Sequence, residues 1–344
     1  MYEYLKKVAS GKKTLKDLTY REAYEVNNKI LNSEATNIQI GAFWSALRIK
    51  YATLDELKGF IDSIKEYTDF IDLSEYKPVD LAVNYDGKNK SIHILPASIF
   101  IATGAGAKVV GHGAKNVPSK YGVTYYEVLE AMGCGYPTNS EEIYKAIELS
   151  GFTFAYQKIF NRKLYNLLPK RQEFGLRTYI NTVEKILNPF KTTKVIIGVN
   201  HLNYVEKYIK LAFYTGYNDI YVVKGLEGGI EPSPEKPTKI FTSKVFSLTI
   251  YPKELKEKIN CDSSITINKN AEICLSILKN EDNPYRDWAI LTAGLIIYAY
   301  GLTNDISEAN KLAEESLKSG LAYQNFKIYK SLTKKRYKKK YSQN

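Results

Sequence analysis

Lys194-Val-Ile-Ile-Gly198 and Asp219-Ile-Tyr-Val-Val223 are two short apolar segments, and the residues from about Tyr204 to Thr215 between them have helical spacing. A strand, a helix and a second strand in this order form a βαβ unit, whose two strands lie parallel in one sheet. The stretch 194–223 therefore predicts an α/β fold with a central, mainly parallel sheet flanked by helices.

Further strands lie on both sides of this unit. Val79 to Val83 is a short apolar strand, and Lys108-Val-Val110 is another that ends in the glycine-rich loop Gly111-His-Gly113. Beyond the βαβ unit, Lys239 to Tyr251 alternates apolar and polar residues, which indicates one more strand.

The N-terminal part of the chain has a different texture. From Leu15 to Tyr67 the pattern is helical, and Thr19-Tyr-Arg-Glu22 and Thr53-Leu-Asp-Glu56 each have the form of a capping box at a helix start. Lys158 to Phe174 is a basic stretch with helical character. We therefore predict a small all-helical N-terminal domain of four short helices, joined to a larger α/β domain.

The charge balance restricts the kind of partner. The chain has 49 Lys and Arg residues against 37 Asp and Glu residues, a formal net charge of +12. Such an excess favours polyanionic partners or phosphorylated ligands, although basic proteins without them also occur.

Other compositional features exclude several classes of protein. The three cysteines are odd in number and lack CxxC spacing, which argues against a disulfide framework and a structural zinc site. The sequence contains no run of about 18 uncharged apolar residues and begins without the apolar segment of a signal peptide. We expect a cytoplasmic protein with no membrane partner.

Four segments carry a resemblance to a known family, in the family's order. They are Leu18-Thr-Tyr-Arg-Glu-Ala-Tyr-Glu25 with Gln39 to Arg48, Ala107 to Gly133, Phe174-Gly-Leu-Arg-Thr178, and Val223-Lys-Gly-Leu-Glu-Gly-Gly-Ile-Glu231. They are similar to the N-terminal helices, the Lys-His-Gly-Asn-Arg and Ser-Lys-Ser-Gly segments, the Leu-Gly-Ile-Arg-Thr segment and the Gly-Leu-Asp-Glu loop of the anthranilate phosphoribosyltransferase family, a glycosyltransferase family with a nucleoside phosphorylase-like fold.

The resemblance implies a division into domains. Residues 1–75 and about 160–190 would form the helical domain, about 76–159 and 191–330 the α/β domain, and 331–344 a basic tail. It also implies a homodimer formed through the N-terminal helices, which the small and apolar residues of Asn37 to Arg48 support.

Several positions that hold the phosphoribosyl donor in the family have changed. Ala82-Val-Asn-Tyr-Asp-Gly87 replaces Gly-Thr-Gly-Gly-Asp-Gly, so Asn84 and Tyr85 stand where glycine backbone would approach a pyrophosphate. His93-Ile-Leu-Pro96 replaces the hydroxyl-bearing Asn-Ile-Ser-Thr. Ile230-Glu231 leaves one carboxylate of the pair that holds magnesium. The resemblance therefore implies a degraded phosphoribosyl pyrophosphate site.

Other positions of that site are retained. Arg171 stands where the family arginine meets the carboxylate of the aromatic acid, and Glu231 is the remaining metal ligand. For Asp86-Gly87 an ordinary turn stays open, as does a packing role for His112. Mg²⁺ is expected only if transferase activity survives, and the catalytic residues are unknown. The predicted phosphate or ligand contacts are Asp86, Gly87, Lys88, His112, Gly113, Lys115, Ser119, Lys120 and Arg171.

A divergent branch of the family has Tyr-Asp-Gly in place of the glycine-rich loop, and the chain resembles it in Tyr85-Asp-Gly87 and Glu227-Gly-Gly-Ile-Glu-Pro-Ser233. The branch is associated with loss of transferase activity and with nucleic-acid binding, and the resemblance implies both here. Independently, six of the eight residues from Lys334 to Tyr341 are cationic and two are tyrosines. Lysines neutralise phosphates and tyrosines stack on unpaired bases.

Two functions follow from these observations. The first is binding of single-stranded DNA or RNA, with a solubilising tail and a solvated helix face as the plainer alternatives. The second is a glycosyl or phosphoribosyl transferase acting on an unidentified donor and acceptor, with Lys88, Lys115 and Lys120 as a phosphate clamp and Glu231 on the metal. The predicted nucleic-acid contacts are Lys163, Lys170, Arg171, Lys334, Lys335, Arg336, Lys338, Lys339 and Lys340.

Overall fold

The structure is a computed structural model that describes residues 1–11, 13–244, 247–251 and 266–334. In this part of the chain, an N-terminal helical bundle precedes a larger α/β domain, as predicted. The α-helices are α1 (Tyr2–Val8), α2 (Tyr20–Leu31), α3 (Asn37–Lys50), α4 (Leu54–Lys65), α5 (Leu95–Gly104), α6 (Tyr125–Ala131), α7 (Ser140–Ser150), α8 (Gln157–Phe160), α9 (Arg162–Tyr165), α10 (Leu168–Phe174), α11 (Ile180–Val183), α12 (Val205–Tyr214), α13 (Ile267–Leu278), α14 (Arg286–Tyr300), α15 (Ile306–Lys318) and α16 (Leu321–Thr333).

The strands form one sheet, and short 3₁₀ helices join some of the elements. The strands are β1 (Val79–Ala82), β2 (Val109–Gly113), β3 (Phe152–Tyr156), β4 (Lys194–Gly198), β5 (Asp219–Val223), β6 (Thr238–Thr242) and β7 (Ser247–Ile250). The 3₁₀ helices are Ser74–Tyr76, Glu184–Ile186, Leu202–Tyr204 and Leu226–Gly228.

Threonine capping boxes begin three helices of the bundle. The Thr19 hydroxyl accepts from the Glu22 amide and the Thr53 hydroxyl from the Glu56 amide, so both predicted boxes are confirmed. Thr36 forms a third box at the start of α3. Each box satisfies backbone amides that have no partner inside the helix.

The packing of α2 against α4 depends on a glycine. A Cβ atom added at Gly59 would lie 2.4 Å from the Tyr20 carbonyl oxygen and 2.9 Å from the Ala23 Cβ. Such distances are shorter than real contacts, so α2 and α4 approach as closely as they do only because position 59 has no side chain.

The sheet has the strand order β3-β2-β1-β4-β5-β6-β7. The strands from β3 to β5 are parallel, and the predicted βαβ unit of β4, α12 and β5 is confirmed. At the other edge β6 and β7 are antiparallel, with Ile240 opposite Leu248. The prediction of a single strand for 239–251 is therefore wrong, since this stretch contains the two strands of a hairpin. The alternation of apolar and polar residues continues from one strand into the other, so the pattern does not show where the chain reverses.

The order of the strands places a crevice next to β1. The chain runs outward from β1 to β2 and β3, then returns to the other side of β1 as β4. The connections leaving β1 and β4 at their carboxyl ends therefore diverge. In open α/β sheets this topological switch point is where ligands bind.

Some elements were not anticipated from the sequence. Neither β3 nor the helices α7 and α16 were predicted, and the basic helix expected from Lys158 to Phe174 is three short helices. The Asn161 side chain accepts from the Leu164 amide and so begins α9 anew. The domain boundaries remain a prediction. Among the helices described, none is long and apolar enough to cross a membrane.

Changing Gly59 to Ala should reduce the free energy of unfolding by about 1–3 kcal/mol, because the added methyl group overpacks the α2–α4 contact. Gly11→Ala is the control, since a Cβ at the exposed Gly11 would meet only the Thr14 hydroxyl oxygen, at an ordinary contact distance of 3.8 Å. That change should alter the free energy of unfolding by less than about 0.5 kcal/mol. Urea unfolding measures both variants, and equal losses at the two positions would contradict the packing argument.

Candidate functional site

A cavity of about 550 Å³ opens at the switch point, between the helical bundle and the carboxyl ends of β1 and β4. The loop after β1 contributes Asn84 to Asp86, and the loop after β4 contributes Val199 to His201. The helical side contributes Leu47 of α3 and Leu57 of α4. We call this cavity the switch-point pocket.

Positive charge predominates in the pocket lining. Within the described part of the chain, the cationic side chains of Arg48, Arg177, Lys185 and Lys207 oppose the single carboxylate of Asp86. Aromatic rings complete the wall, namely Tyr51, Tyr85, Tyr179, Tyr204 and Tyr208. Cations and aromatic faces together suit an anionic ligand that also carries a ring.

An ion pair joins the two sides of the pocket. Arg177 donates from Nε and Nη2 to Oδ2 of Asp86 over 2.8 and 2.6 Å. Asp86 is buried, whereas about a third of the Arg177 side chain is exposed (34%). Gly87 follows with φ +69°, and a Cβ there would lie 2.3 Å from the Gly122 carbonyl oxygen. The predicted Asp86-Gly87 element is therefore a tight turn whose carboxylate orients a pocket arginine.

Lys185 lies buried at the base of the pocket. Its Nζ donates to the Gly198 carbonyl over 2.6 Å and to Oδ1 of Asn84 over 3.0 Å, and it lies 4.3 Å from the centre of the Tyr208 ring. Burial, together with the charge of Arg177, lowers the pKa of Lys185 to about 7. The ammonium group therefore gains or loses its proton near neutral pH.

Tyr85, at the position where the resemblance places a glycine, packs its ring inward. The ring is buried against Ala114, Val117 and Leu168, and its hydroxyl is hydrogen-bonded to Nδ1 of His112. Burial raises the pKa of Tyr85 well above its usual value, and the nearby Glu184 adds to this effect. The phenol is therefore neutral, and Tyr85 is one of the residues that line the pocket.

Further polar contacts lie behind Tyr85. Nε2 of His112 lies 3.3 Å from Oδ2 of Asp80, which also accepts from the Tyr217 hydroxyl over 2.6 Å. His112 is buried among these partners and does not line the pocket. The position of His112 therefore agrees with a packing role. Gly113 beside it ends β2, and a Cβ added there would lie 3.4 Å from the Phe154 ring.

The lysines predicted to converge on one phosphate have separate partners. Nζ of Lys88 lies 2.6 Å from Oε1 of Glu231, with both side chains buried. Lys115 pairs with Glu130 of α6. Nζ of Lys120, next to the half-buried Ser119, lies 3.3 Å from Oε2 of Glu227. The structure does not bring these three lysines together as a clamp.

The carboxylates near the pocket do not fit a magnesium ion held by the protein. Besides Lys88, the Nδ1 atom of His93 lies 3.6 Å from Oε1 of Glu231. Burial opposes ionisation of Glu231, but Lys88 and His93 outweigh it and lower its pKa to about 2. Mg²⁺ requires several oxygen ligands, whereas cations already neutralise Asp86, Glu227 and Glu231. No group of three His, Cys, Asp or Glu side chains able to hold a metal occurs among the residues described.

Arg171 is also engaged inside the protein. Its two terminal nitrogens donate to the two carboxylate oxygens of Glu184 over 2.8 and 3.0 Å, and both side chains are buried. Arg171 lines neither the switch-point pocket nor the protein surface. Arg171 of α10 is therefore not part of the solvated basic face that was the plainer alternative for this stretch.

Three of the other cations predicted to bind nucleic acid lie within the described residues. Nζ of Lys163 lies 3.9 Å from the centre of the Tyr67 ring and is hydrogen-bonded to Asn32. Lys170 is half-buried, and Lys334, just beyond α16, is exposed. The rest of the predicted contacts lie outside the described residues, namely Lys335, Arg336, Lys338, Lys339 and Lys340.

Most residues of the switch-point pocket were not predicted from the sequence. Arg177, Lys185 and Lys207 were not singled out, although the polar residues Asn84 and Asn200 directly after two parallel strands were an available signal. Lys185 had no such signal, since its burial results from contacts made across the fold.

Two family models match the chain, one over the helical bundle and one over the α/β domain. The helical bundle domain of the glycosyl transferase family matches residues 2–68, and the a/b domain of that family matches residues 86–323. An uncharacterized protein of Aquifex aeolicus is 37% identical over 306 residues, which cover 88% of this chain and 94% of the relative. The anthranilate phosphoribosyltransferase of the same organism is 29% identical, with 97% and 98% covered.

Solved structures share the fold. Anthranilate phosphoribosyltransferase from Thermus thermophilus superposes with a TM-score of 0.80 at 23% identity, covering 96% of this chain and 99% of that one. The Saccharomyces cerevisiae enzyme, in complex with PRPP and Mg, has a TM-score of 0.81 at 20% identity, with 96% and 97% covered.

The names of the relatives bear on the two functions predicted from the sequence. The relatives from Aquifex aeolicus and Caldanaerobacter subterraneus that carry a functional name are anthranilate phosphoribosyltransferases, so they favour the transferase alternative. Nucleic-acid binding, the first interpretation, receives no support from them. The chain belongs to the glycosyl transferase family that includes the anthranilate phosphoribosyltransferases, and its greater similarity to the uncharacterized Aquifex protein than to the Aquifex enzyme is consistent with a divergent branch of that family.

Proposed function

We propose that the chain is a glycosyl or phosphoribosyl transferase that binds a phosphorylated small molecule in the switch-point pocket. The observation that carries the proposal is the excess of cationic side chains over carboxylates at the carboxyl ends of β1 and β4. The complex of the yeast enzyme with PRPP and Mg supports a phosphorylated sugar as the class of ligand.

The lysines of the pocket have partners that an anion can replace. Nζ of Lys207 donates to the Ala52 carbonyl over 2.9 Å, and Nζ of Lys185 donates to two neutral oxygens. A hydrogen bond from an ammonium group to a phosphate is stronger than one to a carbonyl, since both partners are charged. The ligand would gain these contacts while the faces of Tyr204 and Tyr208 pack against its ring.

The same pocket offers an explanation for the basic character of the chain. A net charge of +12 raises the local concentration of any phosphorylated metabolite, so it does not require a nucleic-acid partner. The acceptor is a separate question, because Arg171 already binds the carboxylate of Glu184. An acceptor without a carboxylate is compatible with this pairing.

Lys207→Gln should raise the Kd for phosphoribosyl pyrophosphate about tenfold, the usual effect of losing one charged hydrogen bond. Lys210→Gln is the matched control, because Lys210 lies on the same helix, is exposed and pairs with Glu206. Calorimetric titration should show less than a twofold effect for the control. Similar losses in both variants would attribute binding to general charge and contradict the pocket assignment.

The same titrations with Mg²⁺ and with EDTA test the metal requirement. Since Asp86, Glu227 and Glu231 are each paired with a cation, the protein should bind the ligand in EDTA. A complete loss of binding in EDTA would show that the metal is needed despite these pairs.

Ligand binding at pH 8 should be accompanied by uptake of about one proton, because an anion beside Lys185 restores its ammonium form. The pKa of Lys185 is lowered to about 7, so at pH 8 the lysine of the free protein is mostly neutral. Calorimetry in buffers of different ionisation enthalpy measures the uptake, and Lys185→Met should abolish it.

The pH dependence of stability checks the same lysine without a ligand. Between a folded pKa of about 7 and its ordinary value of 10.5, the unfolded chain binds one proton more than the folded chain. The Lys185 contribution to the free energy of unfolding therefore rises with pH across this window. Lys185→Met should flatten the slope, and an unchanged slope would contradict the lowered pKa.

We also propose that the protein is a homodimer formed through α3. Ile38 and Ile49 are 86% and 77% exposed, and they lie with Ala42 on one face of the helix at spacings of four and seven residues. Beside them, Gly41 leaves open space. Light scattering should give twice the mass of the chain for the native protein and the single mass for Ile38→Glu. A monomeric native protein would refute this assignment.

A further inference from the structure

The carboxylate of Glu227 is enclosed by donors from two other loops. It accepts from the amides of Asn89 and Lys90 over 3.1 and 2.8 Å and from the Ser91 hydroxyl over 3.0 Å. Nζ of Lys120 lies 3.3 Å away. We call this set of two consecutive amides, one hydroxyl and one ammonium group the anion cradle.

The composition of the anion cradle is that of a phosphate site. Consecutive backbone amides form an anion-binding concavity, and hydroxyl and lysine donors commonly complete the binding of a phosphate. Burial opposes the charge of Glu227, but the amides of Asn89 and Lys90, with Lys120, outweigh it and hold the pKa of that carboxyl below its usual range. The cradle therefore stabilises an anion.

Glu227 reaches the cradle from a loop with an uncommon conformation. Its backbone has φ +52° and ψ +24° inside the 3₁₀ turn Leu226–Gly228, a region that non-glycine residues seldom occupy. Gly225, Gly228 and Gly229 flank it. The strain of this backbone is offset by the hydrogen bonds that its side chain makes, so the conformation of the turn depends on the carboxylate being held there.

The anion cradle adjoins the switch-point pocket. Nδ2 of Asn84, which lines the pocket, lies 3.4 Å from the Glu227 carbonyl oxygen, and so does Nζ of Lys120. The backbone carbonyl of Glu227 therefore lies next to the pocket, while the Glu227 carboxylate occupies the anion cradle. A ligand with two phosphate groups could extend from one site into the other.

We propose that the anion cradle is a phosphate subsite, and that the Glu227 carboxylate is an internal occupant that a phosphate group of the ligand displaces. The proposal rests on the proposed function only in assigning that phosphate to the pocket ligand. A phosphate carries more charge than the single carboxylate and offers three acceptor oxygens to the same donors. The anion cradle would thus bind only ligands whose phosphate group displaces the Glu227 carboxylate from these donors.

The test is titration of inorganic pyrophosphate into the full chain without metal. Glu227→Ala should bind pyrophosphate at least about tenfold more tightly than the native protein, because removing an internal competitor makes the competent state dominant. Glu235→Ala is the matched control, since it removes the same charge from an exposed position on the same connection. Adding Ser91→Ala or Lys120→Gln to Glu227→Ala should reverse the gain.

A gain in Glu227→Ala that exceeds the control and is lost in the double variants supports the proposal. An unchanged affinity, or a gain equal to that of Glu235→Ala, overturns it. If Glu227→Ala shows no cooperative unfolding transition, Glu227→Gln is titrated with the same two criteria.

Failure of the proposed function is distinguishable from failure of the subsite. A gain in Glu227→Ala beside an unaffected Lys207→Gln would uphold the cradle and refute the pocket. The opposite pair of results would uphold the pocket and overturn the cradle.

Discussion

The parallel pairing of β1 with β4 is the constraint on which the candidate site depends. Val79 lies opposite Lys194 and Ala82 opposite Ile197, so both strands end at the same edge of the sheet. Since the connections from these ends diverge, the edge is left open, and the helical bundle closes it from the other side. A pocket at this place follows from the strand order, whichever side chains line it.

Four ion pairs lie in and around this pocket. Asp86 with Arg177, Glu231 with Lys88, Glu227 with Lys120 and Glu184 with Arg171 are four pairs that cross between loops or helices. Two of the pairs, Lys88 with Glu231 and Arg171 with Glu184, are buried on both sides, and removing one partner of a buried pair costs about 3–5 kcal/mol because the other charge remains without compensation. These two pairs hold their loops in place. Lys185 and Lys207, which donate hydrogen bonds to neutral oxygens, are the pocket lysines that an anion can bind.

This arrangement differs from the donor site that the resemblance to the family implies. Where that resemblance places glycine backbone, the loop carries the buried Tyr85 ring, and where it places a metal ligand, Glu231 is held by Lys88 and His93. The cations nevertheless remain concentrated at the carboxyl ends of the parallel strands. A site that recognises phosphate with lysine and arginine, and relies less on glycine backbone and metal, accounts for both observations.

The sequence by itself determined the fold class and the order of its parts, because these depend on local pattern. Capping boxes at Thr19 and Thr53 and the apolar strands around Lys194 and Asp219 act over a few residues, and the structure agrees with them. The hairpin of β6 and β7 and the strand β3 were missed, since turns and fully buried strands leave weak periodic signals.

Only the tertiary structure decided what the charged residues do. Arg171 looked like part of a basic helix face and is buried with Glu184, while Lys88, Lys115 and Lys120 looked like one clamp and have three different carboxylates. Lys185, an unremarked lysine in the sequence, lies at the base of the pocket. Charge is visible in a sequence, but its partner and its degree of burial depend on residues tens of positions away, and these two quantities set its pKa and its availability to a ligand.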